Sequence, residues 1–458
     1  MKKKIFIIIS SQYFFKYITL KSFKLLEKKY NVHYLFNEKK LDYKNIKIKN
    51  KIFYTLNKQS SVRSLYLLNF LRISNHNRCR TFKAVTEWYY PNYRAFKQMF
   101  KQDNLKSFYL SYSKIFFKKL IMNLFSIKLI SNFMANFFYK KIKIEKNLNE
   151  IFLKYKPDLV LYPTHSWEPE VLKIKKLSDI YKFKTFYIID NWDNLTTKTY
   201  YKFKPDYIGV WGKQVKKHAV SIQNFKKEKV FTIGNCRFDN YFKLKKENFK
   251  KINYNYILFL AANIRVDETY YLTLLNKILR KNKKIFKNTK IIYRQHPQSK
   301  DLTKTKNFDD LENVIIDKSV FTDNQVPYFK NDFRLTKKNY IPLILNARFI
   351  TGCATSIVVE GLIFNKSYLV IAFKKQIDEY FNPKWSYESH IHYEGLEKVD
   401  NVNFSSSEKQ YEKKVIQMFK NKKVNNFAKT KKQLKYFYHK DKLPYDKKIK
   451  QIVQKILV

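Results

Sequence analysis

The sequence predicts an α/β protein with two domains, each built around a parallel sheet. Its 458 residues exceed one ordinary domain and suit two of about 200 residues each. Short apolar runs, rich in β-branched and aromatic residues, alternate with longer polar stretches of helical character. Each run ends in a polar or glycine turn, which is typical of parallel strands buried on both faces and joined by helices. The runs are Ile5–Ile9, Leu159–Tyr162, Thr185–Ile189, Tyr207–Trp211, Val230–Ile233, Tyr256–Leu260, Lys290–Tyr293, Phe349–Ile350 and Tyr368–Ala372.

The ends of the chain and one polar segment suggest the domain limits. The run Ile5–Ile9 follows three lysines, as the apolar region of a secretion signal does. It is too short for such a signal, however, and no small-residue cleavage site follows it. We therefore expect it to be the first strand. The polar segment Lys243–Asn253 separates two runs and marks a boundary. The predicted units are a first domain at 1–245, a second domain at 246–430, and a helix at 431–458 that packs back across the junction.

The charge of the chain is strongly positive, with 93 Lys and Arg against 37 Asp and Glu, a net +56. Bias of the coding sequence towards Lys, Asn, Ile, Phe and Tyr explains most of the lysine count. The remaining positive field would attract phosphates and anionic membrane surfaces. No RNA-recognition signature occurs, so we expect no nucleic-acid partner.

Two further observations concern the compartment. The three cysteines, Cys79, Cys236 and Cys353, are far apart and form no CxxC pair, which argues against zinc and disulfides and favours a reducing cytoplasm. No apolar stretch reaches the roughly 20 residues of a spanning helix. The nearest, Ile115–Phe138, is broken by lysines and asparagines and suits an amphipathic helix. A core-facing helix and a helix docked on the inner face of the cell membrane are equally open.

Ligands of open parallel sheets bind beyond the carboxyl ends of strands, so the residues after each run are candidate site residues. His165 follows Leu159–Tyr162 and is a candidate general base or phosphate ligand, or else a surface histidine. Asp190–Lys198 follows Thr185–Ile189 and holds two carboxylates, two carboxamides and a lysine. Asp190 or Asp193 could deprotonate an acceptor hydroxyl, although the cluster could also be a helix cap.

The later strand ends carry groups suited to phosphate. Gly234 allows close approach of a ligand and Arg237 can grip phosphate oxygens, unless Arg237 pairs with Asp239. Arg294 and His296 alternate in an extended segment and could face a diphosphate. Asn263 follows two small alanines at another strand end.

The segment Thr351–Gly361 is the strongest element in the sequence. Small residues, then Thr355 and Ser356, open a helix whose free N–H groups and dipole favour an anion. Glu360 lies one turn after Ser356 and could accept hydrogen bonds from sugar hydroxyls, or could simply belong to a capping box. No GxxxxGK[ST] loop and no GxGxxG motif occurs, which argues against P-loop nucleotidases and dinucleotide dehydrogenases. No Asp-x-Asp pair occurs either, which argues against sugar transferases that bind Mn²⁺ through such a pair.

Four of these segments resemble those of a known group. Thr351–Gly361 followed by Leu362–Val370 resembles the donor-binding segment of GT-B glycosyltransferases. Trp192–Lys198 is similar to a stretch of bacterial surface-polysaccharide transferases, with Thr199 where those have glycine. Gly234–Asp239 and Arg294–Pro297 resemble the G-x-x-R-F-D and R-x-H-P segments of the same group, to which the CDP-glycerol glycerophosphotransferases are related.

The resemblance implies a GT-B fold, in which two Rossmann-like domains face each other across a cleft, and a metal-independent glycosyltransferase without cofactor. Its substrates would be a nucleotide-activated sugar or phosphopolyol and a glycan or lipid-linked acceptor, as in capsule or lipopolysaccharide synthesis. The expected catalytic candidates are Asp190, Asp193 and His165. The expected donor-binding residues are Gly234, Arg237, Asn263, Arg294, His296, Gly352, Ala354, Thr355, Ser356 and Glu360. The expected acceptor-binding residues are Asn191, Trp192, Asn194 and Lys198.

Two other functions stay open at this point. A UDP-sugar 2-epimerase could use the same scaffold, because fold alone does not settle function. A non-enzymatic basic protein that binds nucleic acid or anionic membrane would leave the ordered strand-end motifs unexplained.

Overall fold

The computed structural model describes residues 2–38, 48–88, 116–117, 119–245, 247–249, 252–262, 266, 268–296, 308, 310–317, 333–375, 382–421, 427–440 and 442–458. Two parallel sheets organise these residues. Strands of the first sheet are β1 Lys4–Ile9, β2 Asn31–Asn37, β3 Lys51–Tyr54, β4 Leu159–Thr164, β5 Lys184–Ile189, β6 Tyr207–Val210 and β7 Val230–Thr232. Strands of the second are β8 Tyr256–Leu260, β9 Lys290–Arg294, β10 Val314–Ile316, β11 Ile350–Gly352, β12 Tyr368–Ile371 and β13 Val402–Ser405.

The strand order is β3-β2-β1-β4-β5-β6-β7 in the first sheet and β10-β9-β8-β11-β12-β13 in the second. Every described strand pair is parallel, as between β1 and β2, where Lys4 pairs with Asn31 and Ile9 with Phe36. Parallel neighbours need crossover connections, and helices supply them. The predicted α/β class with parallel sheets is therefore confirmed.

Helices lie between the strands and after them. In the first half they are α1 Lys16–Thr19, α2 Lys24–Glu27, α3 Lys58–Ile73, α4 Arg80–Trp88, α5 Lys119–Ser126, α6 Lys128–Lys140, α7 Lys146–Tyr155, α8 Glu170–Tyr181, α9 Asn194–Thr197, α10 Lys213–Ser221 and α11 Cys236–Leu244. In the second half they are α12 Thr269–Lys281, α13 Phe333–Asn346, α14 Ile357–Ile363, α15 Pro383–Ser389, α16 Glu408–Lys420, α17 Phe427–Leu434 and α18 Tyr445–Leu457.

The first sheet is buried on both faces, because alternate residues of β1 enter different cores. Phe6 and Ile8 pack into the larger core with residues of α3 and α8. Ile5, Ile7 and Ile9 pack on the other face, where α18 contributes the buried residues Ile449, Val453 and Ile456. Helix α18 thus returns from the end of the second half to the first sheet. The predicted limits of the domains stay a prediction.

The predicted helix at Ile115–Phe138 consists, within the described residues, of α5 and α6, which meet at an angle of 89°. Among the described helices none is by itself long and apolar enough to cross a membrane. Only this bent pair has the necessary length and composition, and only when the two are taken together.

Candidate active site

Both sheets contain a point where the order of strands reverses. Strand β1 lies between β2 and β4, and β8 lies between β9 and β11. Ligands of open parallel sheets bind beyond the carboxyl ends of strands at such switch points. The loops after β1 and β4 carry Lys16 and His165, and the loop after β11 leads to Glu360, so these loops define the candidate site.

A buried ion pair joins the ends of β1 and β5. The Nζ atom of Lys16 lies 2.8 Å from Oδ2 of Asp190, and the Tyr17 hydroxyl donates to Oδ1 at 2.9 Å. Burial alone would raise the pKa of Asp190, but Lys16, Tyr13 and Arg237 together outweigh burial and hold the pKa below its usual value. A carboxylate with a lowered pKa is a weak proton acceptor at neutral pH. The geometry therefore favours other groups over Asp190 as a general base.

His165 lies beside a fixed carboxylate. Its Nδ1 atom is 3.3 Å from Oε1 of Glu168, and its side chain is 34% exposed. Glu168 is held in turn by the Thr164 hydroxyl at 2.6 Å and the Trp167 N–H at 3.0 Å. Within the described residues Nδ1 makes no hydrogen bond, so this contact is a close approach of the ring to the carboxylate. A negative charge at this distance favours a proton on Nδ1, which leaves Nε2 as a proton acceptor. A partly exposed imidazole beside a carboxylate is a candidate general base.

An ion pair crosses from the first half of the molecule to the second. The Arg237 guanidinium on α11 lies 3.1 Å from Oε1 of Glu360 on α14. Oε2 of Glu360 accepts hydrogen bonds from Tyr340 at 3.0 Å and Tyr241 at 3.3 Å. Burial lowers the pKa of Arg237, but Glu360, together with Tyr241, Tyr13 and Asp190, outweighs burial and raises the pKa. Asp239, the alternative partner of Arg237, accepts hydrogen bonds from Tyr438 and the N–H of Tyr445 instead.

A second cation lies on the same side of the second sheet. Arg294, at the end of β9, forms an ion pair with Asp317 and stacks 4.9 Å above the Tyr340 ring. Tyr340 also donates a hydrogen bond to Glu360, so the Tyr340 side chain lies between Arg294 and Glu360. Burial lowers the pKa of His296 to about 4, so its imidazole is neutral. Asn263, a predicted donor ligand, lies outside the described residues.

The segment after β11 is closely packed. Gly352 has φ +151, and a Cβ there would lie 2.4 Å from the carbonyl oxygen of Leu260. The hydroxyl of Thr355 accepts the N–H of Ile357 at 3.3 Å, near the start of α14. Ala354, Thr355 and Ser356 complete the turn between Gly352 and α14.

Gly234 has a packing role. Its φ is +75, and a Cβ would lie 2.6 Å from the backbone oxygen of His439. A Cβ on Gly212 would similarly lie 2.5 Å from the backbone oxygen of Phe437. Both glycines therefore let the C-terminal segment cross close to the ends of β6 and β7. Contact of Gly234 with a donor stays a prediction.

The predicted acceptor-binding cluster lies where the halves of the molecule meet. Trp192 is 2% exposed, and its ring lies 5.6 Å from His392 and 5.9 Å from Phe437. The Nδ2 atom of Asn191 donates to Tyr13 at 3.4 Å. Trp192 is thus a packing residue of the junction, while Asn191 faces the end of β1.

Asn194 is fully buried, and neither atom of its carboxamide has a hydrogen-bond partner among the described residues. Unpaired buried polar atoms cost about 1–3 kcal/mol, so the carboxamide would gain from any polar partner that reaches it. Asp193 accepts the Thr197 hydroxyl at 2.9 Å at the start of α9, and Lys198 closes the same helix, half-buried.

Sequence reasoning missed Lys16, Tyr13, Glu168 and Tyr340. Lys16 and Tyr13 follow β1, so the strand-end rule could have found them. Glu168 lies in the same loop as His165, and its role becomes visible only from the 3.3 Å contact. Tyr340 belongs to a helix with no sequence motif. No group of three or more His, Cys, Asp or Glu side chains among the described residues could hold a metal ion.

The arrangement combines three cations, the buried carboxylate of Glu360 and the partly exposed imidazole of His165 around the carboxyl ends of two sheets. Lys16, Arg237 and Arg294 suit phosphate oxygens, and Glu360 suits hydroxyl groups. In this conformation each of these cations contacts a carboxylate of the protein.

Comparison with known proteins bears on the fold. No family model matches the sequence, and no curated protein matches it. Three similar solved structures cover almost the whole chain. Staphylococcus aureus MnaA, solved with UDP, is 12% identical with a TM-score of 0.51 and covers 100% of this chain and 98% of its own. UDP-GlcNAc 2-epimerase from Methanocaldococcus jannaschii is 12% identical with a TM-score of 0.52 and covers 99% of both chains.

The third is a glycosyltransferase from Rickettsia africae, 12% identical with a TM-score of 0.50, covering 100% of this chain and 99% of its own. At such identities the likeness establishes the fold. The chain therefore has the GT-B fold predicted from its sequence. The predicted relation to CDP-glycerol glycerophosphotransferases stays a prediction.

Proposed function

We propose that this chain is a nucleotide-sugar-dependent glycosyltransferase whose donor binds between the two sheets. The observation that carries the proposal is the Arg237–Glu360 pair, 3.1 Å apart, which joins the two halves beside the switch points. Arg294 and Lys16 add positive charge near it. A diphosphate is the ligand that best suits several cations at strand ends together with a hydroxyl-binding carboxylate.

Donor binding would exchange partners at the Arg237–Glu360 pair. The Nε atom of Arg237 is buried and has no hydrogen-bond partner among the described residues, so the guanidinium has a donor to offer a phosphate. A diphosphate that attracts Arg237 would release one oxygen of Glu360, which could then accept a ribose or sugar hydroxyl. The same cations would stabilise negative charge on the departing nucleoside diphosphate.

His165 would act on the acceptor. Its Nε2 would take the proton of an acceptor hydroxyl, whose oxygen bonds to the anomeric carbon of the sugar while the bond from that carbon to the diphosphate breaks. Glu168 would position the imidazole and stabilise its charged form. Asn191, Asn194 and Lys198 remain the proposed acceptor ligands, and Asn194 fits this role through its unpaired carboxamide.

A UDP-sugar 2-epimerase is the second candidate. The similar structures favour it, because one of them is a UDP-GlcNAc 2-epimerase and another holds UDP. It would use the same donor site but no acceptor. The exposed apolar helices described below favour transfer to a lipid-linked acceptor.

Thermal shift of the purified chain against UDP, CDP, GDP and CMP and their sugar conjugates tests the donor site. We expect one nucleotide class to raise the melting temperature, because a ligand of the folded state stabilises it by mass action. Arg237→Gln should abolish the shift, whereas Arg280→Gln, on an exposed pair with Glu312, should retain it. No shift with any nucleotide, in a chain that is folded, would refute the proposal.

The two reactions are separated by their need for an acceptor. The stabilising nucleotide sugar is incubated with the chain alone, and the sugar is analysed for inversion at C2. Conversion of the sugar without an acceptor would mean that the protein is an epimerase and not a transferase. Consumption of the donor only when a glycan or lipid-linked acceptor is added would support transfer.

A further inference from the structure

Helices α5 and α6 present an apolar face to solvent. Leu129 is 80% exposed, Phe133 is 68% exposed and Phe137 is 43% exposed, and the three are four residues apart along one side of α6. Leu120, Ile121, Leu124 and Ile127 extend the face along α5 and the corner, each between 46% and 53% exposed. An exposed apolar surface of this extent marks an interaction site in a folded protein.

The apolar face is held firmly on the first domain. The opposite side of α6 buries the small residues Ser131 and Ala135. Tyr139, at the end of α6, stacks on Phe203 with 3.8 Å between ring centroids. Phe70 of α3 contacts both helices, through Phe125 at 5.4 Å and Phe138 at 5.7 Å. The outward direction of the apolar side chains is therefore fixed by packing.

Positive charge surrounds the apolar face. Residues 119–144 contain five lysines and no Asp or Glu, and all five lysines are exposed. They are Lys119, Lys128, Lys140, Lys141 and Lys143. An apolar face flanked by lysines is typical of helices that lie in the surface of an anionic bilayer. A second copy of this chain suits the face poorly, because it would bring five more lysines against these five.

We propose that the apolar face docks the protein on an anionic lipid bilayer, with α5 and α6 lying in its surface. The 89° bend between the helices and the anchoring by Tyr139 and Phe70 suit a helix pair that enters one leaflet. The lysine side chains would reach the lipid phosphates while the leucines and phenylalanines enter the acyl region.

The docking face is connected to the loop of His165. Phe70, which contacts α5 and α6, lies two residues before Arg72 on α3. The Arg72 guanidinium stacks 4.8 Å from the Trp167 ring, and Trp167 lies between His165 and Glu168. A lipid-linked acceptor held at the bilayer surface would thus meet the acceptor side of the cleft, a step that rests on the proposed function.

Vesicle sedimentation tests the docking. The purified full chain is mixed with sucrose-loaded vesicles of phosphatidylcholine, with and without phosphatidylglycerol, and no nucleotide is added. We expect binding to the anionic vesicles. Leu129→Gln should weaken it about tenfold, because an exposed leucine side chain would no longer enter the acyl region. Leu153→Gln is the matched control, since Leu153 is 53% exposed on α7 and belongs to neither α5 nor α6.

Two results of the vesicle experiment would overturn the proposal. Equal binding of wild type and Leu129→Gln, abolished by salt, would mean that charge alone attracts the chain and would overturn the proposal. Wild-type chain that fails to bind vesicles but self-associates through Leu129 would assign the face to a second copy and overturn it too. Nucleotide thermal shift of Leu129→Gln in solution should equal that of wild type. Failure of docking is thereby distinguished from failure of the proposed donor site.

Discussion

Replacing Glu360 with glutamine tests the pair that links the two halves of the molecule. The substitution keeps the size of the side chain but removes its charge. Arg237 then loses its partner at 3.1 Å, and the hydroxyls of Tyr340 and Tyr241 lose an ionised acceptor. We expect both the stability of the folded state and the response to nucleotide to fall.

The magnitude follows from burial. Removal of one partner from a buried ion pair costs about 3–5 kcal/mol, because the remaining charge stays desolvated and unpaired. The Glu360 side chain is 5% exposed and that of Arg237 is 20% exposed, so water reaches the guanidinium in part. We therefore expect the lower end, about 3 kcal/mol in the free energy of unfolding. Glu150→Gln is the control, since Glu150 lies 4.0 Å from Lys146 with 60% of its side chain exposed, and about 0.5 kcal/mol or less is expected.

Urea unfolding followed by tryptophan fluorescence provides the assay, because Trp192 and Trp211 are buried near the junction. The double variant Arg237→Gln with Glu360→Gln should lose less than the sum of the single variants, since neither charge is then left alone. A Glu360→Gln variant as stable as Glu150→Gln would refute the reasoning. Strict additivity in the double variant would do the same.

Three further outcomes are expected. Burial lowers the pKa values of three histidines, His218, His296 and His390, to about 4. The unfolded chain gains protons first, below its pKa of about 6.5, so stability is lost from there towards pH 4. Urea unfolding at pH 5 should give a free energy of unfolding lower by about 2 kcal/mol per histidine than at neutral pH, and a flat profile would contradict this. Gly212→Ala should lower the free energy of unfolding by about 1–3 kcal/mol, because the added Cβ meets the backbone of Phe437. Gly361→Ala should lower it less, because there the Cβ meets only the end of a flexible side chain, and thermal unfolding measures both variants. Glu168→Gln should lower kcat about a hundredfold with donor binding retained, because His165 loses the carboxylate beside its Nδ1. An unchanged kcat would exclude a catalytic role for the His165–Glu168 contact.

The strands that the sequence predicts are those buried on both faces. All nine apolar runs correspond to strands, because a continuous apolar run leaves few alternatives in an α/β protein. The strands it misses are β2, β3, β10 and β13. Three of these are edge strands of three or four residues, where one side faces solvent and the apolar signal is diluted. The polar residues Asn31 and His33 interrupt the pattern of β2 in the same way.

The candidate site was predictable only where a strand ends in an evident motif. Arg237 and Glu360 were found separately by this rule, but their 3.1 Å contact joins residues 123 positions apart and has no local signal. Tyr340 and Glu168 act through other side chains, so their contribution needs coordinates. The scarcity of glycine indicated special positions, and at Gly234 the crossing of His439 supplies a packing reason that no local pattern shows.

The return of α18 to the first sheet has a consequence for how the protein acquires its structure during synthesis. Ile449, Val453 and Ile456 form part of the core beneath Ile5 and Ile7, although more than 200 residues separate them from the last strand of that sheet. When the ribosome has produced all seven strands, one face of their sheet still lacks the part of its cover that α18 supplies. At this stage the first half therefore exposes apolar surface, and such a state is prone to aggregation and to binding by chaperones. The first half is translated first, but it reaches its final structure only after the second half has been synthesised.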